Sequence, residues 1–231
     1  MMKNIITLSL VLGAASLFSA QAGEPLKGNA EAGQTKAAVC MGCHGPNGTG
    51  TNPDWPRLAG QGEGYLLKQL QDFKSGKRKD MTMAPQVAII NEQDMADLAA
   101  FFASQKPKYD VIGSAKDKEI TDELIAKGEA LYRGGDLDRG ITACVACHGP
   151  SGRGVEPALY PAISGQYAKY VGKQLKDFRL GANIHEQASS VDVNTLVYRE
   201  NDNSRMMRDN ATKLTDKDIE ALANYVQGLQ P

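Results

Sequence analysis

The residues with reactive chemistry fall into two clusters of one pattern, Cys40-Met41-Gly42-Cys43-His44 and Cys144-Val145-Ala146-Cys147-His148. Two thiols one helical turn apart can both reach one edge of a flat macrocycle, while the histidine that follows points at its centre. This is the attachment pattern of haem c, in which both sulfurs add across the porphyrin vinyl groups and the imidazole ligates the iron. The chain holds 4 Cys, and the two motifs use all of them. Paired disulfides or a zinc site are the competing uses of such cysteines. Neither accounts for a histidine placed directly after the second cysteine in both copies. Two covalently bound haem c groups are therefore expected, held through Cys40, Cys43, Cys144 and Cys147, with His44 and His148 on the irons.

An iron with one histidine is either open for chemistry or closed by a second ligand, and a Met thioether is the closure that suits electron transfer. The candidates are Met81 and Met83 in the first half and Met206 and Met207 in the second. Met83 stands as far ahead of Asn91 as Met207 stands ahead of Thr215, whereas Met81 and Met206 break that correspondence. Met83 and Met207 are thus the expected axial ligands, placed in loops. Gap-filling core methionine is the bland alternative. Pro56 and Pro161 follow their histidines at similar distances. Their carbonyls are candidates to accept the second ring N–H of each histidine, with plain loop-shaping as the competing role.

These residues need elements to hold them, and the chain supplies the same set twice. His44 to Gly50 matches His148 to Gly154, and Trp55 to Gln61 matches Tyr160 to Gln166. Tyr65, Lys68-Gln69-Leu70, Asp72-Phe73 and Gly76 recur as Tyr170, Lys173-Gln174-Leu175, Asp177-Phe178 and Gly181. Apolar spacing predicts three helices per half. The first leads into the haem motif, through Glu31 to Val39 or Asp122 to Tyr132. The middle one presents Leu66, Leu67, Leu70 and Phe73, or Tyr170, Val171, Leu175 and Phe178, and is expected to stop at Gly76 or Gly181. The last is capped by Asn91 with Asp94, or by Thr215 with Asp218. It presents Met95, Leu98, Ala99 and Phe102, or Ile219, Leu222, Ala223 and Val226. The fold class is all-α, two tandem haem-wrapping domains of three to four main helices each. The expected division is 23–106 and 123–231 around a linker at 107–122.

The chain has 231 residues and a formal net charge of −1, which gives no argument for nucleic acid. Met1 to Asn4 is a short positive segment, Ile5 to Phe18 is apolar, and Ala20-Gln21-Ala22 is a small-residue cleavage pattern. Residues 1–22 therefore read as an export signal cleaved after Ala22, with a retained anchor as the alternative.

On these motifs the chain resembles the di-haem class I cytochromes c of the cytochrome c-four type. The likeness covers both C-x-x-C-H-G motifs, Pro56 to Gln61 with its repeat, the Tyr65 to Phe73 helix, and each methionine followed by a capped helix. The resemblance implies two domains facing each other about a pseudo-twofold axis, with haem propionates near the interface. It implies the ligand set His44, Met83, His148 and Met207, and a carbonyl role for Pro56 and Pro161. It also implies periplasmic electron carriage between a respiratory donor and a terminal oxidase or reductase. The partners expected are redox proteins and, peripherally, a membrane surface, met by a monomer. The rival class is an enzyme, a di-haem peroxidase or an oxidoreductase of small sulfur compounds. That would need an iron left open or held by a displaceable group such as His185 or Met207.

Two departures separate the halves. The second carries an extra Arg133 to Asp138 segment before its haem motif and a longer, polar Asn183 to Arg205 segment before Met207. His185, the only histidine outside the motifs, lies in the latter and reads as a surface residue. Lys74, Lys77, Arg78 and Lys79 form a basic run, either a solvated loop or a means of steering an anionic partner.

Overall fold

The computed structural model describes residues 26–109, 120–187 and 196–231, with the side chains of residues 185–187 excluded. The expected signal with its cleavage at Ala22, the middle of the linker, the centre of the second insertion and the His185 side chain lie outside the described residues. Among the described residues the regular structure is helical, joined by isolated bridges alone. The first half contains α1 (Ala30–Lys36), α2 (Ala38–His44), α3 (Glu63–Lys74), α4 (Met83–Ala88) and α5 (Glu92–Ser104). The second contains α6 (Asp122–Gly134), α7 (Val145–His148), α8 (Ala168–Gln187), α9 (Met206–Ala211) and α10 (Asp216–Gly228).

Each half is framed by its first helix crossing its last. The crossing is close because a glycine sits at it. A Cβ on Gly33 of α1 would lie 2.0 Å from the Asp97 carbonyl oxygen of α5, and one on Gly128 of α6 would lie 2.2 Å from that of Ala221 in α10. Phe101 and Tyr225 pack over the bare backbones, and both are buried. Carboxylates staple the crossing. Asp97 accepts from Asn29 N–H at 2.9 Å and from Lys36 Nζ at 2.6 Å. Asp218 pairs with Lys127 at 2.8 Å and with Arg139 at 2.7 Å. The extra segment of the second half explains the second of these pairs. Asp136 and Ile141 exchange backbone hydrogen bonds of 2.9 and 2.7 Å, and the turn they close carries Arg139 to Asp218.

The helix starts follow the sequence. Asn91 caps α5 by accepting from Asp94 N–H at 2.8 Å, and Thr215 with Asp218 forms a reciprocal capping box on α10. Met95, Leu98, Ala99 and Phe102 are buried, as are Ile219, Leu222, Ala223 and Val226. Burying one such large side chain contributes about 1.5–3 kcal/mol, so these two faces are the main apolar support of each half.

Three sequence readings change. The helix through Glu31 to Val39 breaks at the fully buried Ala37, and α2 then carries the whole haem motif. α3 ends as expected, with Gly76 at φ +75 just beyond it. α8 instead runs on through Gly181 to Gln187, because Gly181 serves close approach there and ends nothing: its Cβ would lie 2.0 Å from the Arg199 carbonyl oxygen. Met83 and Met207 begin or occupy the short helices α4 and α9, whose apolar periodicity is too brief to read.

Candidate functional site

α2 and α7 place Cys40, Cys43 and His44, and Cys144, Cys147 and His148, on the wall of a cavity of about 590 Å³ shared by the two halves. All four cysteines are unbridged. Among the described residues no three His, Cys, Asp or Glu side chains converge as a metal-ion site, which is what the zinc reading would require.

Glycine-rich turns bring the chain back over each histidine. Gly48, at φ +75, gives its carbonyl to Leu58 and Ala59 N–H, and Gly152, at φ +70, does the same for Ile163 and Ser164. A side chain at Gly48 would strike Phe102 at 2.8 Å. The returning segments deliver two carbonyls. His44 Nδ1 lies 2.8 Å from the Pro56 oxygen, and His148 Nδ1 lies 2.9 Å from that of Pro161. A carbonyl can only accept, so Nδ1 carries the proton and donates, which leaves Nε2 unprotonated and able to ligate a metal. Burial lowers the pKa of both imidazoles, keeping them in the neutral form that binds iron.

The methionines divide clearly. Met83 lines the cavity and packs with Phe73, Val87 and Met95, while Met81 is 88 % exposed. Met206 and Met207 both line the cavity, but Met206 Sδ already accepts from the Tyr160 hydroxyl at 3.5 Å. An aspartate receives the backbone N–H of Met83 (Asp80, 3.0 Å) and of Met207 (Asp202, 3.0 Å), which puts these two in matching frames.

Between the halves the cavity meets a polar cluster that sequence reasoning missed. Arg78 belongs to the basic run, yet it is only 7 % exposed and turned inwards. It donates to Gln69 Oε1 at 2.8 Å, Gln174 Oε1 at 2.8 Å and the Tyr170 hydroxyl at 2.9 Å. Arg199, equally buried, donates to Gln174 at 3.0 Å and Gln69 at 3.3 Å, and its backbone forms an antiparallel bridge with Arg78. No described carboxylate lies within ion-pair distance of either guanidinium. Burial and the facing Arg78 charge pull Arg199 below its ordinary pKa. With no described carboxylate paired to them, two buried cations are costly unless an anion completes the site. An apolar cavity ending in such a pair fits a macrocycle with an apolar body and acidic side groups, as haem has. The signal for Arg199 was hidden by the insertion, which shifts it out of repeat register with Arg78.

The cytochrome c family model matches residues 30–106 and 125–230. The chain is 46% identical to cytochrome c4 of Azotobacter vinelandii, over 99% of this chain and 100% of that protein. It is 36% identical to the thiosulfate dehydrogenase electron acceptor of Stutzerimonas stutzeri (strain A1501), over 90% of this chain and 87% of that one. The crystal structure of reduced recombinant cytochrome c4 from Pseudomonas stutzeri matches with a TM-score of 0.75 and 43% identity, covering 88% of this chain and all of that one.

Proposed function

The chain belongs to the cytochrome c family, as a di-haem electron-transfer protein with two covalent haem c groups, and from that premise we propose how its residues carry electrons and where. Bound haem supplies a one-electron ferric–ferrous couple. Cys40 and Cys43, and Cys144 and Cys147, fix the two groups in orientation. His44 with Met83, and His148 with Met207, would hold the two irons, and the carbonyls of Pro56 and Pro161 would orient the two imidazoles. Held on both sides by protein side chains, each iron would be closed to substrate, and the site would supply electron transfer alone. The protein is then a carrier in an exported compartment, passing electrons from a donor protein to a terminal oxidase or reductase. The relative named as an electron acceptor of thiosulfate dehydrogenase supports a sulfur-oxidising enzyme as one class of donor.

The observation that carries this reading is the histidine whose Nδ1 meets a proline carbonyl, on the wall of the same cavity as a cavity-facing methionine, found once in each half. The test is spectroscopy of the exported, haem-loaded protein. Both ferric centres should show the methionine-to-iron charge-transfer band, and the ferrous form should bind carbon monoxide only slowly. Rapid binding at one centre would replace the carrier with an enzyme.

A further inference from the structure

Two buried glutamines, each 8 % exposed, cross between the halves. Gln166 Oε1 accepts from Arg57 N–H at 3.0 Å, and its Nε2 donates to the Arg57 carbonyl at 3.0 Å. Gln61 Oε1 accepts from Ala162 N–H at 2.7 Å, and its Nε2 donates to the Ala162 carbonyl at 2.8 Å. The peptide that contributes Arg57 N–H is the one whose oxygen, on Pro56, accepts from His44. The peptide that contributes Ala162 N–H is likewise the one whose Pro161 oxygen accepts from His148. A line of polarised groups therefore runs from each imidazole, through one peptide plane, to a glutamine of the opposite half.

We propose that these are crossed positioning residues: Gln166 of the second half tunes the iron ligand of the first, and Gln61 of the first half tunes that of the second. The inference rests on His44 and His148 being the iron ligands. A peptide whose N–H is donated has a more electron-rich carbonyl, since hydrogen bonds in series polarise one another. That carbonyl pulls harder on the Nδ1 proton and makes Nε2 a more basic ligand. A more basic ligand favours ferric iron. Removing the glutamine acceptor must then raise the reduction potential of the centre in the other half, while the centre in its own half keeps its value.

The test uses the haem-loaded full chain with Gln166→Leu and, separately, Gln61→Leu. Two readouts apply: a redox titration with each centre assigned by NMR, and the Nδ1–H shifts of His44 and His148 in the reduced protein. Gln166→Leu should favour reduction of the first-half centre by roughly three- to tenfold (tenfold being 59 mV for one electron) and move the His44 Nδ1–H signal alone. Gln61→Leu should do the same to the second-half centre and His148, so either variant suffices if the other fails to fold. Lys169→Ala removes the exposed ion pair with Asp54 across the same boundary without touching either peptide, and should shift neither centre. An equal shift in Lys169→Ala, a joint shift of both centres, or no shift in the leucine variants would overturn crossed tuning. The ligand reading fails separately, if the histidine ring signals of the unsubstituted reduced protein lack the displacement that a haem ring current imposes; crossed tuning falls with it.

Discussion

Met81 and Met83 are two positions apart, yet only Met83 reaches the cavity, so their substitutions should part company. Met83→Ala is expected to abolish the thioether band of one centre and let ferrous iron bind carbon monoxide, while Met81→Ala changes neither. The same contrast should hold for Met207→Ala against Met206→Ala. That the cysteines and histidines would line one cavity was legible because each belongs to a motif with fixed local geometry; Met83 and Met207 could be singled out only by their matched spacing ahead of a capped helix. The arginine pair was not. Arg78 looks like one more lysine-rich loop residue, and only the folded chain shows it facing Arg199 with no described carboxylate paired to either. A positive charge near iron favours the ferrous state, so Arg199→Gln should lower the potential of the nearer centre, by on the order of tens of millivolts. Because the group is buried, the shift should survive high salt, which a titration repeated at raised ionic strength would check.

At the scale of elements, the glycine crossings and the carboxylate staples decide stability. Gly128→Ala puts a methyl where the Ala221 carbonyl already lies, and such overpacking costs about 1–3 kcal/mol, measurable as a lower denaturant midpoint at unchanged slope. Asp97 adds a pH dependence. Lys36, the Asn29 N–H and the Gln93 amide, in that order, hold its carboxyl at about 2, below the ordinary 3.8. A depressed carboxyl stabilises the fold fully above the unfolded value, and that contribution disappears as pH falls through the folded one. Asp97→Asn should therefore be less stable than the parent at pH 7, with the difference closing between about pH 4 and pH 2 in unfolding followed by circular dichroism. Caps and apolar faces were readable from sequence because they depend on neighbours within a turn or two. The end of α8 was not, because Gly181 answers to Arg199, which the insertion itself brings back.

At the scale of the molecule the halves share one design but not one environment. The segment that brings Arg139 to Asp218 belongs only to the second half, as does the insertion that returns at Arg199. A redox titration should resolve two unequal potentials, and a curve fitted by two identical centres would contradict this. The repeat made two domains legible, whereas their docking was hidden, since Gln61 and Gln166 register in sequence only as matched positions. Each glutamine grips, by the same two atoms, the backbone just ahead of the other, at Arg57 or at Ala162, so the contact is self-complementary in the manner of a symmetric pair of identical subunits. A single ancestral half meeting its own copy would find both handholds already in place. Gene duplication and fusion would then have turned a concentration-dependent homodimer into one covalent chain, and freed each copy to drift towards its own potential.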